Sequence, residues 1–226
     1  MDNLRKTDKI TPLWIASQNG HIDIVQLLID NGADIEQARN DEALPITMAA
    51  QNGHIDIVKL LIENGADVNK VDKNGATPLW AAAYSGRTTT LQLLITEKAD
   101  VNKASNTETT PLCIATRNGH KAIVRLLIDN GADVNQANIK GLTPLLIAIE
   151  KGYLDIVEML FPKGRDIDKV ITKGKKTCLH KATEFGSVAV VNKCIEARAD
   201  LEKRDANGRT ALFSAAENDH IDIVKL

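Results

Sequence analysis

The chain has 226 residues, with 28 Lys and Arg against 30 Asp and Glu and a formal net charge of −2. So even a balance gives no general attraction to nucleic acid or to an anionic membrane surface. No basic-then-apolar leader opens the sequence and no apolar run approaches membrane-spanning length, so membrane insertion is not expected. Cys113, Cys178 and Cys194 suit a reducing compartment, which implies a cytoplasmic setting without a disulfide framework.

Met1 to Ile10 are too short for a unit of their own. Thr11 to Asp34, TPLWIASQNGHIDIVQLLIDNGAD, then sets a pattern that the rest of the chain varies. Pro12 is answered every 33 residues by Pro45, Pro78, Pro111 and Pro144, and Cys178 and Ala211 fill the same place after a one-residue slip. Gly20, Gly53, Gly86, Gly119, Gly152 and Gly186 run in step. A fixed period of this length marks a stacked repeat architecture.

Within the first unit, Thr11 is placed to cap a helix that Pro12 opens, because proline lacks only an N–H that the first turn leaves unbonded anyway. Gly20 can take the left-handed conformation that ends it. A second helix is expected from about Ile22, with Asp23 in its first turn and Ile24, Val25, Leu27, Leu28 and Ile29 apolar on all but one side. Gly32 stops it, and Ala33-Asp34 leads into an extended linker. Two short helices cannot bury such residues alone. Stacked copies can.

The unit resembles an ankyrin repeat. The resemblance rests on Asp72-Lys73-Asn74-Gly75-Ala76-Thr77-Pro78-Leu79 and Ala82-Ala83-Tyr84-Ser85-Gly86. Asn52-Gly53-His54-Ile55-Asp56-Ile57-Val58 and Gly131-Ala132-Asp133-Val134-Asn135 extend it. It implies an all-α ankyrin-repeat solenoid of stacked helix-turn-helix units with hairpin-like loops. The expected organisation is a single domain over 1–226, with repeats at about 4–36, 37–69, 70–102, 103–135, 136–168, 169–202 and a truncated 203–226.

The departures from the pattern are local. Repeats one and two share Gln18–Val25 and Gln51–Val58 letter for letter, but Arg39, Glu42 and Leu44 replace the usual Asp, Gly and Thr of the second opening. Repeat three carries the β-branched run Thr88-Thr89-Thr90, expected to weaken its second helix, and Lys98 in place of the stop glycine. Repeat four has Glu108 at the hairpin glycine. Pro162, an inserted residue before Thr177, and Arg198 at a stop position make repeats five and six the expected weak joint, between Phe161 and Lys176. Lys163 to Lys181 hold seven Lys or Arg and two acidic residues, either a patch for an acidic partner or ordinary solvated loop charge. The seventh repeat stops inside its second helix at Leu226, which suggests a fragment of a longer array whose end frays.

No catalytic, cofactor or metal chemistry is expected. Gly174-Lys175-Lys176-Thr177 lacks the first glycine of a phosphate loop. His21, His54, His120 and His220 share one repeat position and form a structural ladder, while His180 matches the family's TPLH histidine. Asn69, Asn102 and Asn135 match a family asparagine that is sometimes hydroxylated, and otherwise bond within the linker.

The resemblance implies a protein–protein interaction module that binds a partner protein through its concave groove and hairpin tips, as a monomer. The alternative is the targeting part of a larger enzyme, or of a microbial effector acting in host cytoplasm. Five of the seven aromatics fall on the first-helix side: Trp14, Trp80 and Phe213 two residues after the proline position, Tyr84 and Phe185 six and seven after it. Trp80 and Tyr84 are i,i+4 neighbours. Hot spots favour Trp, Tyr and Arg, so the expected contact residues are Trp14, Gln18, Gln51, Trp80, Tyr84, Ser85, Thr109, Arg117, Asn118 and Phe185. For Trp14 and Trp80, packing between repeats is the competing expectation.

Overall fold

The computed structural model describes residues 10–38, 43–161, 167–172 and 174–226. Every regular element among them is a helix, and the helices come in pairs. They fall into two compact units, Met1–Gly141 and Leu142–Leu226. The first holds α1 Pro12–Asn19 with α2 Ile22–Asp30, α3 Pro45–Asn52 with α4 Ile55–Glu63, α5 Pro78–Ser85 with α6 Thr88–Thr96, and α7 Pro111–Arg117 with α8 Lys121–Asp129. The second holds α9 Pro144–Lys151 with α10 Leu154–Leu160, α11 Cys178–Glu184 with α12 Val188–Glu196, and α13 Ala211–Glu217 with α14 Ile221–Val224. In each unit first helices pack on first helices and second on second: α1, α3, α5 and α7 form one row and α2, α4, α6 and α8 the other. The all-α stack of helix pairs expected from the repeats is therefore present.

The caps follow the sequence. Thr11, Thr77, Thr110, Thr143, Thr177 and Thr210 each accept the backbone N–H three residues on, at 3.0 to 3.4 Å. Leu44 makes no such bond and instead buries its side chain. Arg39, Glu42 and Pro162 lie outside the described residues.

Two features join successive pairs. His54 Nε2 donates to the Gln18 carbonyl at 3.0 Å, His120 to that of Tyr84 at 3.1 Å and His220 to that of Glu184 at 3.2 Å, while Arg87 Nε reaches the Gln51 carbonyl at 3.1 Å. These bonds, three from histidines and one from an arginine, tie repeats two, three, four and seven each to the repeat before it. Along the linkers, the Asp100 N–H donates to Asn69 Oδ1 and the Asp133 N–H to Asn102 Oδ1, both at 2.8 Å. Glu36 performs the same task for Asp67 and also pairs with Lys70. Hairpin-like loops close locally through Asp72 N to Ala76 O at 3.0 Å and Ser105 N to Thr109 O at 3.1 Å, and Asn106 N bridges to Asn74 O at 2.8 Å.

The threonine run does not shorten α6. It spans nine residues, as α2, α4 and α8 do, because Thr90 occupies a fully buried place and packing outweighs its propensity. Lys98 and Arg198 do adopt the left-handed backbone, at φ 65° and 59°, where Gly32, Gly65 and Gly131 sit in other repeats. A side chain there costs free energy that glycine avoids. Lys98→Gly and Arg198→Gly should each raise stability by about 1 kcal/mol in urea titrations, and a loss instead would show that their side chains make compensating contacts.

Within the second unit, the expected joint from Phe161 to Lys176 joins α10 to α11. In the seventh repeat α14 covers only Ile221–Val224, and Leu212 and Val224 are exposed where Leu13, Leu79 and Leu112, and Val25, Val58 and Val124, are buried in earlier repeats.

Candidate interaction face

The first-helix row of the first unit brings most of the expected contact residues together, in unequal roles. Gln18, Gln51, Tyr84 and Arg117 occupy one repeat position, 33 residues apart, and so form one line across four repeats. Gln18 and Gln51 are half-buried, and their carbonyls accept the ladder bonds. Tyr84 is 46 % exposed and Arg117 is also exposed. Arg117 enters no ion pair among the described residues.

Tyr84 is held rather than loose. Its ring stacks on Trp80, centroids 5.6 Å apart and planes 8° from parallel. Trp80 is itself fixed, because its indole Nε1 donates to the Thr109 carbonyl at 2.9 Å. The Tyr84 carbonyl accepts two bonds, from Asn118 Nδ2 at 2.8 Å and from His120 Nε2 at 3.1 Å. Sequence reasoning placed Thr109 and Asn118 beside the aromatic pair as polar contacts. The structure gives both a supporting part. Thr109 is 3 % exposed and acts through its backbone oxygen, and the Asn118 amide is occupied by the preceding repeat. Ser85 is half-buried at the end of α5.

Trp14 is a correction. At the same repeat position as Trp80 it is 3 % exposed, so packing rather than contact accounts for it. Its indole lies inside the first unit and leaves the exposed line.

Phe185 belongs to the second unit, half-buried, with Lys181 Nζ 4.1 Å above its ring. Here the position held by Gln, Gln, Tyr and Arg in the first unit becomes Glu150, Glu184 and Glu217, each paired with a base. Burial alone would raise the Glu184 pKa. Hydrogen bonds from Lys176 at 2.7 Å and Lys181 at 2.8 Å outweigh it and hold the carboxyl below its ordinary value. Two bases of the Lys163–Lys181 segment are thus matched within the fold, while Lys163, Arg165 and Lys173 lie outside the described residues. His180, buried at the start of α11, completes a capping box with Thr177 and contacts the Arg209 carbonyl at 3.2 Å. No group of three potential metal-binding side chains occurs among the described residues.

Ile139 and Phe213 are among the exposed apolar groups outside the expected contacts. Ile139 is 61 % exposed on a hairpin loop where Lys73 and Asn106 stand in earlier repeats, and that apolar-for-polar change was its only signal. Phe213 is 49 % exposed, with the Arg209 guanidinium 5.3 Å from its ring centre.

A family profile for ankyrin repeats, in sets of three copies, matches residues 1–72, 46–138, 79–171 and 168–226. The chain belongs to the ankyrin-repeat family. Ankyrin repeats in general are protein–protein interaction modules and typically do no catalysis. No curated protein matches the chain. Among the described residues no helix is long and apolar enough to cross a membrane.

Proposed function

We propose that the chain binds a partner protein across repeats three and four, with Tyr84 as the exposed anchor and Arg117 beside it in the same line. The observation that carries this reading is the stack of Tyr84 on Trp80 above doubly bonded backbone. An aromatic ring that is both exposed and already fixed loses little entropy on binding, and such rings concentrate binding energy. Arg117, free of any internal carboxylate among the described residues, suits a carboxylate on the partner next to the aromatic contact. Trp80 supports the anchor and offers its remaining exposed edge. Gln18, Gln51 and Ser85 extend the polar surroundings. The proposed setting is the cytoplasm, with the chain acting as a monomer.

Partner capture followed by affinity measurement tests it. Tyr84→Ala should weaken binding by about tenfold or more, equivalent to roughly 1.4 kcal/mol, with the melting temperature unchanged. Arg117→Ala should act in the same direction. Lys59, exposed on α4 and paired only loosely with Glu63 at 3.8 Å, supplies the control. Trp80→Ala is less clean, since it also removes the bond to Thr109. Parental affinity in both first-helix variants, together with weakened binding by Lys59→Ala, would place the contact on the second-helix side and overturn the reading.

A further inference from the structure

Two departures from the repeat pattern meet in the second unit. Cys178 stands where five other repeats have proline, and Cys194 where Leu28, Leu61, Leu94, Leu127 and Leu160 stand. Each alone is a small core residue. The pairing of α11 with α12 brings the two sulfurs to 3.7 Å, with both side chains buried. Beside them lies an apolar cavity of about 360 Å³ walled by Val157, Val190 and both cysteines. Lys193 and Glu158 also line it, paired at 2.9 Å with side chains 47 % and 49 % exposed, so the cavity reaches the surface.

We propose that Cys178 and Cys194 are a reversible oxidation site, in which a small hydroperoxide entering this cavity closes the dithiol to a disulfide that staples α11 to α12. Cys194 Sγ attacks a peroxide oxygen, so that an S–O bond forms and the O–O bond breaks. The departing oxygen takes up a proton and leaves as water or alcohol. Cys178 Sγ then attacks Cys194 Sγ, forming S–S and breaking S–O, and the hydroxide leaves as water with the Cys178 proton. The two thiols lose two electrons and the peroxide gains them.

Geometry favours this pair. The sulfurs, 3.7 Å apart, must close to a bond of about 2 Å, and the cavity beside them gives the side chains room to rotate. A hydrogen bond between the thiols lowers the Cys194 pKa, and the same contact, with burial, pushes Cys178 up. The lowered pKa agrees with Cys194 as the attacking thiol. Cys113 is an internal control, since it is buried in the first unit against the Gln136 carbonyl at 3.6 Å, and burial pushes its thiol up.

The test exposes the folded chain to hydrogen peroxide, alkylates the remaining thiols and maps the peptides by mass spectrometry. The expected product is a Cys178–Cys194 cross-link, reversed by dithiothreitol and formed at least about tenfold faster than any oxidation of Cys113. Cys178→Ser should halt the reaction at a Cys194 sulfenic acid that dimedone captures, and Cys194→Ser should leave Cys178 reduced. Oxidation of Cys113 at a similar rate overturns the proposal. So does a cross-link that forms only after circular dichroism shows the helices lost, or a Cys178→Ser variant in which dimedone captures nothing.

Discussion

Ile57→Ala is expected to destabilise the chain by about 3 kcal/mol, while Ile24→Ala costs under about 1 kcal/mol, although both sit in the same eight-residue sequence. Gln18–Val25 and Gln51–Val58 are identical, so helix propensity and local hydrogen bonding cancel in the comparison. What differs is cover. Ile57 is 2 % exposed, on a helix that packs against α2 and α6, whereas Ile24 is 48 % exposed on α2, which packs against α4 on one side. Truncating a buried isoleucine removes its transfer free energy and leaves a cavity that neighbours only partly fill. Truncating an exposed one does neither. Urea titrations followed by circular dichroism would measure both. Equal losses would mean that local helix stability, not packing between repeats, dominates this array.

The second large effect is predicted for Gly86→Ala, at about 3 kcal/mol, against about 1 kcal/mol for Gly131→Ala. Both glycines have left-handed backbone, at φ 75° and 85°, so the conformational cost of adding a Cβ is shared. At Gly131 the new methyl meets nothing within 4 Å. At Gly86 it would lie 2.8 Å from His120 Cε1, and the ring must move. That movement breaks the bond from His120 Nε2 to the Tyr84 carbonyl and loosens the backbone under the proposed anchor. The glycine thus serves two ends, the turn and the close approach of the next repeat. Removing the ring in Gly86→Ala/His120→Ala should recover part of the loss. If Gly86→Ala costs no more than Gly131→Ala, the histidine ladder is soft and does not position Tyr84.

The period of 33 residues, the threonine caps, the proline starts and the stop positions were legible in the sequence. Caps, starts and stops are local constraints that one turn of backbone satisfies by itself, and the period repeats them along the chain, so fold class and helix placement could be read directly. Lys98 and Arg198 show the same from the other side, since the repeat register placed them in left-handed backbone despite their side chains. The contact line was legible only in part. Trp14 and Trp80 are the same residue at the same repeat position, yet the first is buried and the second half-exposed beneath a stacked Tyr84. A neighbour from another repeat fixes the Trp80 indole: Thr109, 29 residues on, offers the carbonyl that it bonds. Likewise Cys178 and Cys194 are unremarkable singly, and only the pairing of α11 with α12 sets their sulfurs 3.7 Å apart beside a cavity. Sequence periodicity settles what each residue does for its own helix. Burial, stacking and thiol contact depend on which side chain the neighbouring helix supplies, and the tertiary packing alone decided that.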